Sequence, residues 1–134
     1  RSAAVLVERG DAEKRAKSVA QLKSVLQKGI SVVIAPEGTF NMTHQPLKSF
    51  YDGAFKIAIE TETPIKPMLF MDTYDRLHYE SIFSLTPGKS RTIFLEEIPV
   101  EGLTLDDVDM LKDKVYKAME AALIRYKASW IKSA

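Results

Sequence analysis

The sequence contains no cysteine and only two histidines, His44 and His78. The absence of cysteine excludes disulfides, thiolate nucleophiles and zinc–thiolate sites, and it fits a reducing compartment such as the cytoplasm. No apolar run approaches the roughly 18 residues that a membrane-spanning helix needs. Imidazole chemistry therefore has two candidates, and no segment of this chain is predicted to cross a bilayer.

A large net charge of either sign is also missing, since the sequence has 19 basic and 18 acidic residues. Nucleic-acid-binding surfaces are usually clearly basic, so we expect no nucleic acid partner. The acidic residues Asp106, Asp107 and Asp109 stand at a predicted helix start, where they complement the helix dipole without any metal ion. With 134 residues and 46% hydrophobic content, the chain predicts one globular domain with an ordinary core.

The first third of the sequence predicts a strand, a helix and a second strand. The apolar residues 3–7 end at the charged pair Glu8 and Arg9, as a buried strand does. Residues 11–28 repeat apolar side chains at helical spacing, and the β-branched residues 30–35 favour a strand. This order is typical of a parallel crossover unit.

After a twelve-residue loop over residues 36–47, the pattern continues. It predicts a helix over residues 50–59, a strand over 65–71, an irregular stretch and a strand over 91–96. A capping box of Thr104 and Asp107 opens a long final helix. The apolar stripe expected on that helix consists of Val108, Leu111, Val115, Ala118, Ala122 and Tyr126. The fold class predicted is α/β, with a mainly parallel sheet and crossover helices.

In such sheets ligands bind beyond the carboxyl ends of the strands, which is where the loop 36–47 is expected. The loop begins with Pro36, Glu37, Gly38 and Thr39. Pro36 fixes φ, Gly38 permits close backbone approach, and the amides near Gly38 and Thr39 suit a phosphate or an oxyanion. Taken alone, the same residues also suit a plain turn.

Residues 35–39 resemble the Phe-Pro-Glu-Gly-Thr block of the glycerolipid acyltransferases of the lysophosphatidate acyltransferase type. Three further blocks resemble that family in the same order, at residues 5–9, 47–58 and 63–67. The resemblance covers about residues 3 to 71. It implies a partial glycerol-3-phosphate acyltransferase-like fold, with residues 1–134 as the C-terminal part of a single acyltransferase domain.

The resemblance implies transfer of an acyl chain from acyl-CoA or acyl carrier protein to the hydroxyl of 1-acyl-glycerol-3-phosphate, giving phosphatidate without a cofactor. It also implies a histidine base with an aspartate five positions later. Five positions after His44 stands Ser49, and five after His78 stands Phe83. We therefore expect the catalytic pair upstream of Arg1, and this chain alone to be inactive. The full protein is expected at the cytoplasmic side of a membrane, as a peripheral or inner-membrane-associated enzyme.

Several residues match the implied substrate site. Arg9 corresponds to an arginine that holds the acceptor phosphate, with Glu8 positioning it. The acceptor-binding turn corresponds to Glu37, Gly38 and Thr39. The interpretation without function is a surface ion pair for Glu8 and Arg9.

The sequence departs from the family pattern at two positions of this site. Phe40 stands where the family usually has arginine, and Tyr51 where it tends to have lysine; Lys48 or Lys56 can supply charge nearby. Together with Met42 and Phe50, Phe40 and Tyr51 are candidates for an acyl-chain wall. Two alternatives stay open: an acyltransferase for an aminolipid or another hydroxyl lipid, which Phe40 favours, and a non-catalytic lipid-binding module.

Overall fold

The computed structural model describes residues 12–78, 80 and 83–131. The predicted strand over residues 3–7 and the pair Glu8 and Arg9 lie outside the described residues. The first predicted helix is confirmed as α1, Ala12–Gln27. It ends before Gly29, which adopts a left-handed φ of +73°.

The second predicted helix is confirmed as α2, Gly53–Glu60. It ends because the chain turns through Glu62, with φ of +49°, ahead of Pro64. The Thr61 hydroxyl satisfies one terminal carbonyl by donating to the Ile57 oxygen at 2.7 Å. Half of α2 is buried, and the buried residues are all apolar: Phe55, Ile57, Ala58 and Ile59.

Strands β1, Met68–Phe70, and β2, Thr92–Phe94, lie within the predicted strand regions. They pair antiparallel, with Leu69 opposite Ile93. The mainly parallel sheet predicted from the sequence is therefore not confirmed, since the sheet seen in the described residues is this antiparallel pair.

The direction of β2 follows from the connection between the strands. Parallel neighbours need a crossover of a dozen or more residues, usually a full helix, whereas helix α3, Thr73–Arg76, has four residues. The chain instead doubles back, and Met71 N–H donates to the Arg91 carbonyl at 3.0 Å. The Asp72 carboxylate binds Arg91 twice at the same place. Its Oδ1 forms an ion pair with a guanidinium nitrogen at 2.7 Å, and its Oδ2 accepts a hydrogen bond from the Arg91 backbone N–H at 2.8 Å.

The strand predicted over residues 30–35 is not confirmed, because the described part of the chain shows no strand there. A β-branched composition favours an extended backbone, but a strand also needs a neighbour to pair its N–H and C=O groups. No such ladder reaches residues 30–35 from the residues described. Val33 is correspondingly 79% exposed.

The capping box of Thr104 and Asp107 is confirmed, with Thr104 N–H donating to the Asp107 carboxylate at 2.8 Å. It opens a 3₁₀ turn, Leu105–Asp107, that leads into α4, Val108–Arg125. Ala118 and Tyr126, predicted in the apolar stripe, are exposed. Ala118 lies at the flank of the stripe, and Tyr126 follows the last turn. The residues that α4 buries are Val108, Leu111, Val115, Met119, Ala122 and Leu123.

The core forms between α2, α4 and the inner face of the β1–β2 pair. Its most deeply buried large side chains are Phe55, Met71, Leu111 and Leu123. Helix α1 packs on α2, where Lys23 pairs with Glu60 at 2.9 Å. Among the helices described, none combines the length and the apolar content needed to span a membrane. The loop 36–47 approaches this core through Leu47, which is buried.

Asp72→Asn is expected to lower the Tm at pH 7, because it removes the ion pair with Arg91. The Arg91 guanidinium holds the pKa of the Asp72 carboxyl down at about 2. Stabilisation from a lowered pKa is present above the unfolded value and is lost as pH falls through the folded value. Thermal unfolding of wild type and variant should therefore converge between pH 4 and pH 2.

A matched control is Asp113→Asn, which removes an exposed ion pair with Lys117 and should leave Tm unchanged. An Asp72→Asn deficit of equal size at pH 7 and pH 2 would contradict the ionic account.

Candidate functional site

The loop 36–47 is closed at its base by two hydrogen bonds. The Tyr51 N–H donates to the Pro36 carbonyl at 2.9 Å. The Lys48 N–H donates to the Glu37 carboxylate at 2.8 Å, across eleven positions of sequence. These bonds bring the two ends of the predicted loop together, so the loop is an ordered feature with a defined neck.

Glu37 is half-buried, and burial raises the pKa of its carboxyl. The backbone hydrogen bond from Lys48 and the charge of the Lys48 ammonium partly oppose that rise. Accepting a backbone N–H compensates a carboxylate that burial has partly desolvated. In this geometry Glu37 is the group that fastens the neck of the loop.

Gly38 and Thr39 follow directly as a tight turn. Gly38 has a φ of +70°, a conformation that glycine adopts without steric cost, and its N–H donates to the Ala35 carbonyl at 3.2 Å. Thr39 is exposed, and it makes no hydrogen bond to any residue that the structure describes. The backbone amide and hydroxyl of Thr39 are therefore the groups of this turn that have no hydrogen-bond partner among the described residues.

The tip of the loop is held by Asn41. Its side-chain oxygen accepts from the Thr43 N–H at 3.0 Å and from the Thr43 hydroxyl at 2.7 Å. Its side-chain amide donates to the Gln45 carbonyl at 2.9 Å. Such local bonds from an asparagine replace a regular backbone ladder, so the loop keeps its shape without secondary structure.

The returning arm of the loop is tied to the C-terminal part of the chain. The Tyr116 hydroxyl on α4 donates to the Leu47 carbonyl at 3.2 Å, and the Trp130 indole donates to the Pro46 carbonyl at 3.3 Å. The His44 ring lies 3.3 Å from the Trp130 carbonyl. Sequence reasoning missed Tyr116 and Trp130; the one available signal was that Trp130 is the single tryptophan of the chain.

The predicted acyl-chain residues divide into two groups. Phe40, Tyr51 and Met42 are 73%, 68% and 66% exposed. Phe50 is a core residue, 8% exposed, with its ring 5.2 Å from the Tyr116 ring in an edge arrangement. Phe50 therefore lies beneath the loop and supports it.

The cationic candidates also differ. The Lys48 N–H is occupied by Glu37, and its half-buried side chain lies close enough to lower the pKa of the Glu37 carboxyl. The Lys56 ammonium lies 3.6 Å from the Asp52 carboxylate, which Lys112 also binds at 2.8 Å. Lys48 is thus the lysine that belongs to the loop. Glu8 and Arg9 lie outside the described residues, so their part in the site stays a prediction.

The second histidine, His78, lies against other groups. Its ring is 3.4 Å from the Glu80 carboxylate and 4.7 Å from the Tyr74 ring. In the described part of the chain, no three His, Cys, Asp or Glu side chains form a group that could hold a metal ion.

The family model described as Acyltransferase matches residues 1–71. Human 1-acyl-sn-glycerol-3-phosphate acyltransferase alpha is 36% identical over 110 residues, covering 82% of this chain and 38% of the relative. The human beta form is 32% identical over 100 residues, covering 75% and 35%. The chain thus spans somewhat over a third of the length of these relatives.

A solved structure has a similar fold. The 1-acyl-sn-glycerophosphate (LPA) acyltransferase PlsC from Thermotoga maritima superimposes with a TM-score of 0.72 and 24% identity. The match covers 89% of this chain and 48% of that one.

The Glu37 neck can be tested by stability measurements. Glu37→Gln keeps an oxygen that accepts from Lys48 and removes the partly buried charge, so the free energy of unfolding at pH 7 should be unchanged or higher. Glu37→Ala leaves the Lys48 N–H without its acceptor and should cost about 1 kcal/mol.

The raised pKa of Glu37 fixes the direction in which the stability difference between Glu37→Gln and wild type changes with pH. A carboxyl with a raised pKa favours the folded state below its unfolded pKa, and that contribution is lost as pH rises through the folded value. The gain of Glu37→Gln over wild type should therefore appear above pH 4.5 and grow as pH rises through the raised pKa. Chemical denaturation at pH 4 and pH 7 measures it, and a Glu37→Gln loss equal to that of Glu37→Ala would refute this role.

Proposed function

This chain belongs to the acyltransferase family, and from that premise we propose that it is the acceptor-binding part of a 1-acylglycerol-3-phosphate O-acyltransferase. The reaction moves an acyl chain from acyl-CoA or acyl carrier protein to the hydroxyl of a lysophosphatidate. The hydroxyl oxygen forms the new ester bond, the thioester carbon–sulfur bond breaks, and the thiol leaves. The product is phosphatidate.

The observation that carries this proposal is the turn of Glu37, Gly38 and Thr39. Glu37 fastens the turn to the loop neck, Gly38 gives it a left-handed corner, and Thr39 is left exposed. A fixed N–H and hydroxyl at such a corner suit a phosphate oxygen. Because the loop is already ordered, binding there costs little conformational entropy.

Charge for the acceptor phosphate comes, in this proposal, from Arg9 with Glu8 beside it, and from Lys48. A guanidinium offers a planar fork that matches two phosphate oxygens, and an ammonium adds a point charge. The exposed aromatic rings of Phe40 and Tyr51 contact the acyl chain, and Phe50 supports them from the core.

We place the general base outside the described residues, in a histidine with an aspartate five positions later, upstream of residue 1. Residues 1–134 then form the C-terminal part of one acyltransferase domain and are inactive alone. The acceptor is a membrane lipid, so the complete protein works at a membrane surface, peripheral or inner-membrane-associated on the cytoplasmic side. No cofactor enters the reaction.

The same proposal extends to the sheet. In the complete domain, residues 30–35 become a strand of a mainly parallel sheet. Support comes from the exposed β-branched side chains of that segment, Val33 above all, since a neighbouring strand would bury them and pair their backbone.

A second candidate is an acyltransferase for an aminolipid or another hydroxyl lipid. The exposed Phe40 favours it, because this apolar ring stands where the resemblance leads us to expect an arginine for the phosphate. A non-catalytic lipid-binding module is the third candidate. Turnover of an acyl-thioester by the full natural protein would exclude it.

The deciding experiment is release of free thiol from an acyl-thioester, run on this chain and on the full natural protein with lysophosphatidate. We expect turnover by the full protein and none by the chain alone. Turnover with an aminolipid but not with lysophosphatidate establishes the second candidate, and turnover with neither acceptor leaves the binding module.

Arg9→Ala in the full protein should raise the KM for lysophosphatidate roughly tenfold or more, since a charge-assisted contact to phosphate is lost. Arg9→Lys keeps the charge without the planar fork, so its KM for lysophosphatidate should lie between those of the unaltered protein and Arg9→Ala. Arg125→Ala, at the far end of α4, is the control and should change nothing. An acceptor KM that is the same for all three variants removes Arg9 from the site.

A further inference from the structure

The carbonyls of Pro46 and Leu47, two neighbouring residues on the returning arm of the loop, are each held by an aromatic donor from the C-terminal part of the chain. We propose that Tyr116 and Trp130 are positioning residues that set the geometry of the acceptor-binding turn from outside it. This inference rests on the proposed function and deepens it. Both residues lie beyond residue 71, where the family match ends.

The two carbonyls need these donors for different reasons. Leu47 is buried, and a buried carbonyl without a partner is costly; the Tyr116 hydroxyl satisfies it. Pro46 has no N–H to donate, so its carbonyl is the backbone group through which it can be fastened, and Trp130 binds it.

The donors are themselves held in place. The Tyr116 ring packs edge-on against Phe50 at 5.2 Å, and the Trp130 ring lies 6.3 Å from the Tyr74 ring. Burial, followed by the carboxylates of Glu120 and Glu37, raises the pKa of the Tyr116 hydroxyl. Tyr116 therefore stays protonated at neutral pH and remains a donor.

Trp130 contacts the loop a second time through its own carbonyl, which lies 3.3 Å from His44 Nδ1. A carbonyl oxygen only accepts, so His44 Nδ1 carries the proton of this bond. The loop thus gives one hydrogen bond to Trp130 and receives one from it, at residues 44 and 46.

The route from these rings to the ligand-facing turn is short. Holding Leu47 fixes the next residue, Lys48, whose N–H binds the Glu37 carboxylate. Glu37 is followed at once by Gly38 and the exposed Thr39. Loosening the returning arm therefore loosens the neck, and the Thr39 amide and hydroxyl lose their fixed position.

The test uses Tyr116→Phe and Trp130→Phe in the full natural protein, because each keeps an aromatic ring and removes the donor. Tyr126→Phe is the matched control, since it removes a hydroxyl at the exposed end of the same helix. Hydrogen exchange of the backbone amides in residues 36–47 is measured by mass spectrometry, and KM for acceptor and donor and kcat are measured on the same samples.

We expect exchange across residues 36–47 to accelerate about fivefold in each variant, as the loss of one net hydrogen bond predicts. The acceptor KM should rise by a similar factor, while kcat and the KM for acyl-thioester change less than twofold. The Tyr126→Phe protein should match wild type in all four quantities.

Loop exchange equal to that of Tyr126→Phe overturns the proposal, since the rings then hold nothing. Faster exchange with an unchanged acceptor KM also overturns it, since the loop is then not the acceptor site. If the unaltered protein does not turn over lysophosphatidate, the proposed function fails, and the exchange rates alone decide whether Tyr116 and Trp130 hold the loop.

Discussion

The hydrogen bond from the Lys48 backbone to the Glu37 carboxylate is the constraint on which the candidate site depends. It joins residues eleven positions apart and turns a stretch without helix or strand into a loop with a closed neck. Burial of the carboxylate works against its charge, and the backbone donor with the nearby ammonium works in favour of it. Burial is the larger influence, so the pKa of the Glu37 carboxyl stays raised while the Lys48 hydrogen bond fixes the carboxyl at the start of the turn.

Residues of the core and of the C-terminal part of the chain contact the returning arm of this loop. Phe50 belongs to the core between α2, α4 and the β1–β2 pair, and Tyr116 packs against that core. The two rings contact each other next to the loop. The Asp72–Arg91 pair keeps the two strands in register at the far side of the core. The candidate site is therefore a surface loop that rests on a packed core.

Local patterns were sufficient to predict the elements whose stability is local. Apolar spacing predicted α1, α2 and α4, the capping box predicted the start of the last helix, and Pro36 and Gly38 predicted a turn at the start of the loop. Pro36, Glu37 and Gly38 were enough to predict a turn, whereas the substrate site predicted there came from the resemblance of residues 35–39 to the acyltransferase block.

Interactions between distant residues were not predictable in the same way. Beside the antiparallel pair, Asp72 accepts a hydrogen bond from Arg91, nineteen positions later. The local sequence around either residue does not identify the other as its partner. Tyr116 and Trp130 reach the loop across 69 and 84 positions, so no window along the sequence contains both ends. The sequence predicts Phe50 at the start of a helix and as a candidate for an acyl-chain wall, and only its packing against Tyr116 of α4 shows that it faces inward.

The central claim is that the turn of Glu37, Gly38 and Thr39 receives the acceptor phosphate. The direct measurement is an ¹⁵N–¹H spectrum of the full protein titrated with monomeric lysophosphatidate, beside a monoacylglycerol with the same chain and no phosphate. The account predicts that the Gly38 and Thr39 amides shift with lysophosphatidate and stay in place with monoacylglycerol. Equal shifts with both lipids, or none at these two amides, would contradict it.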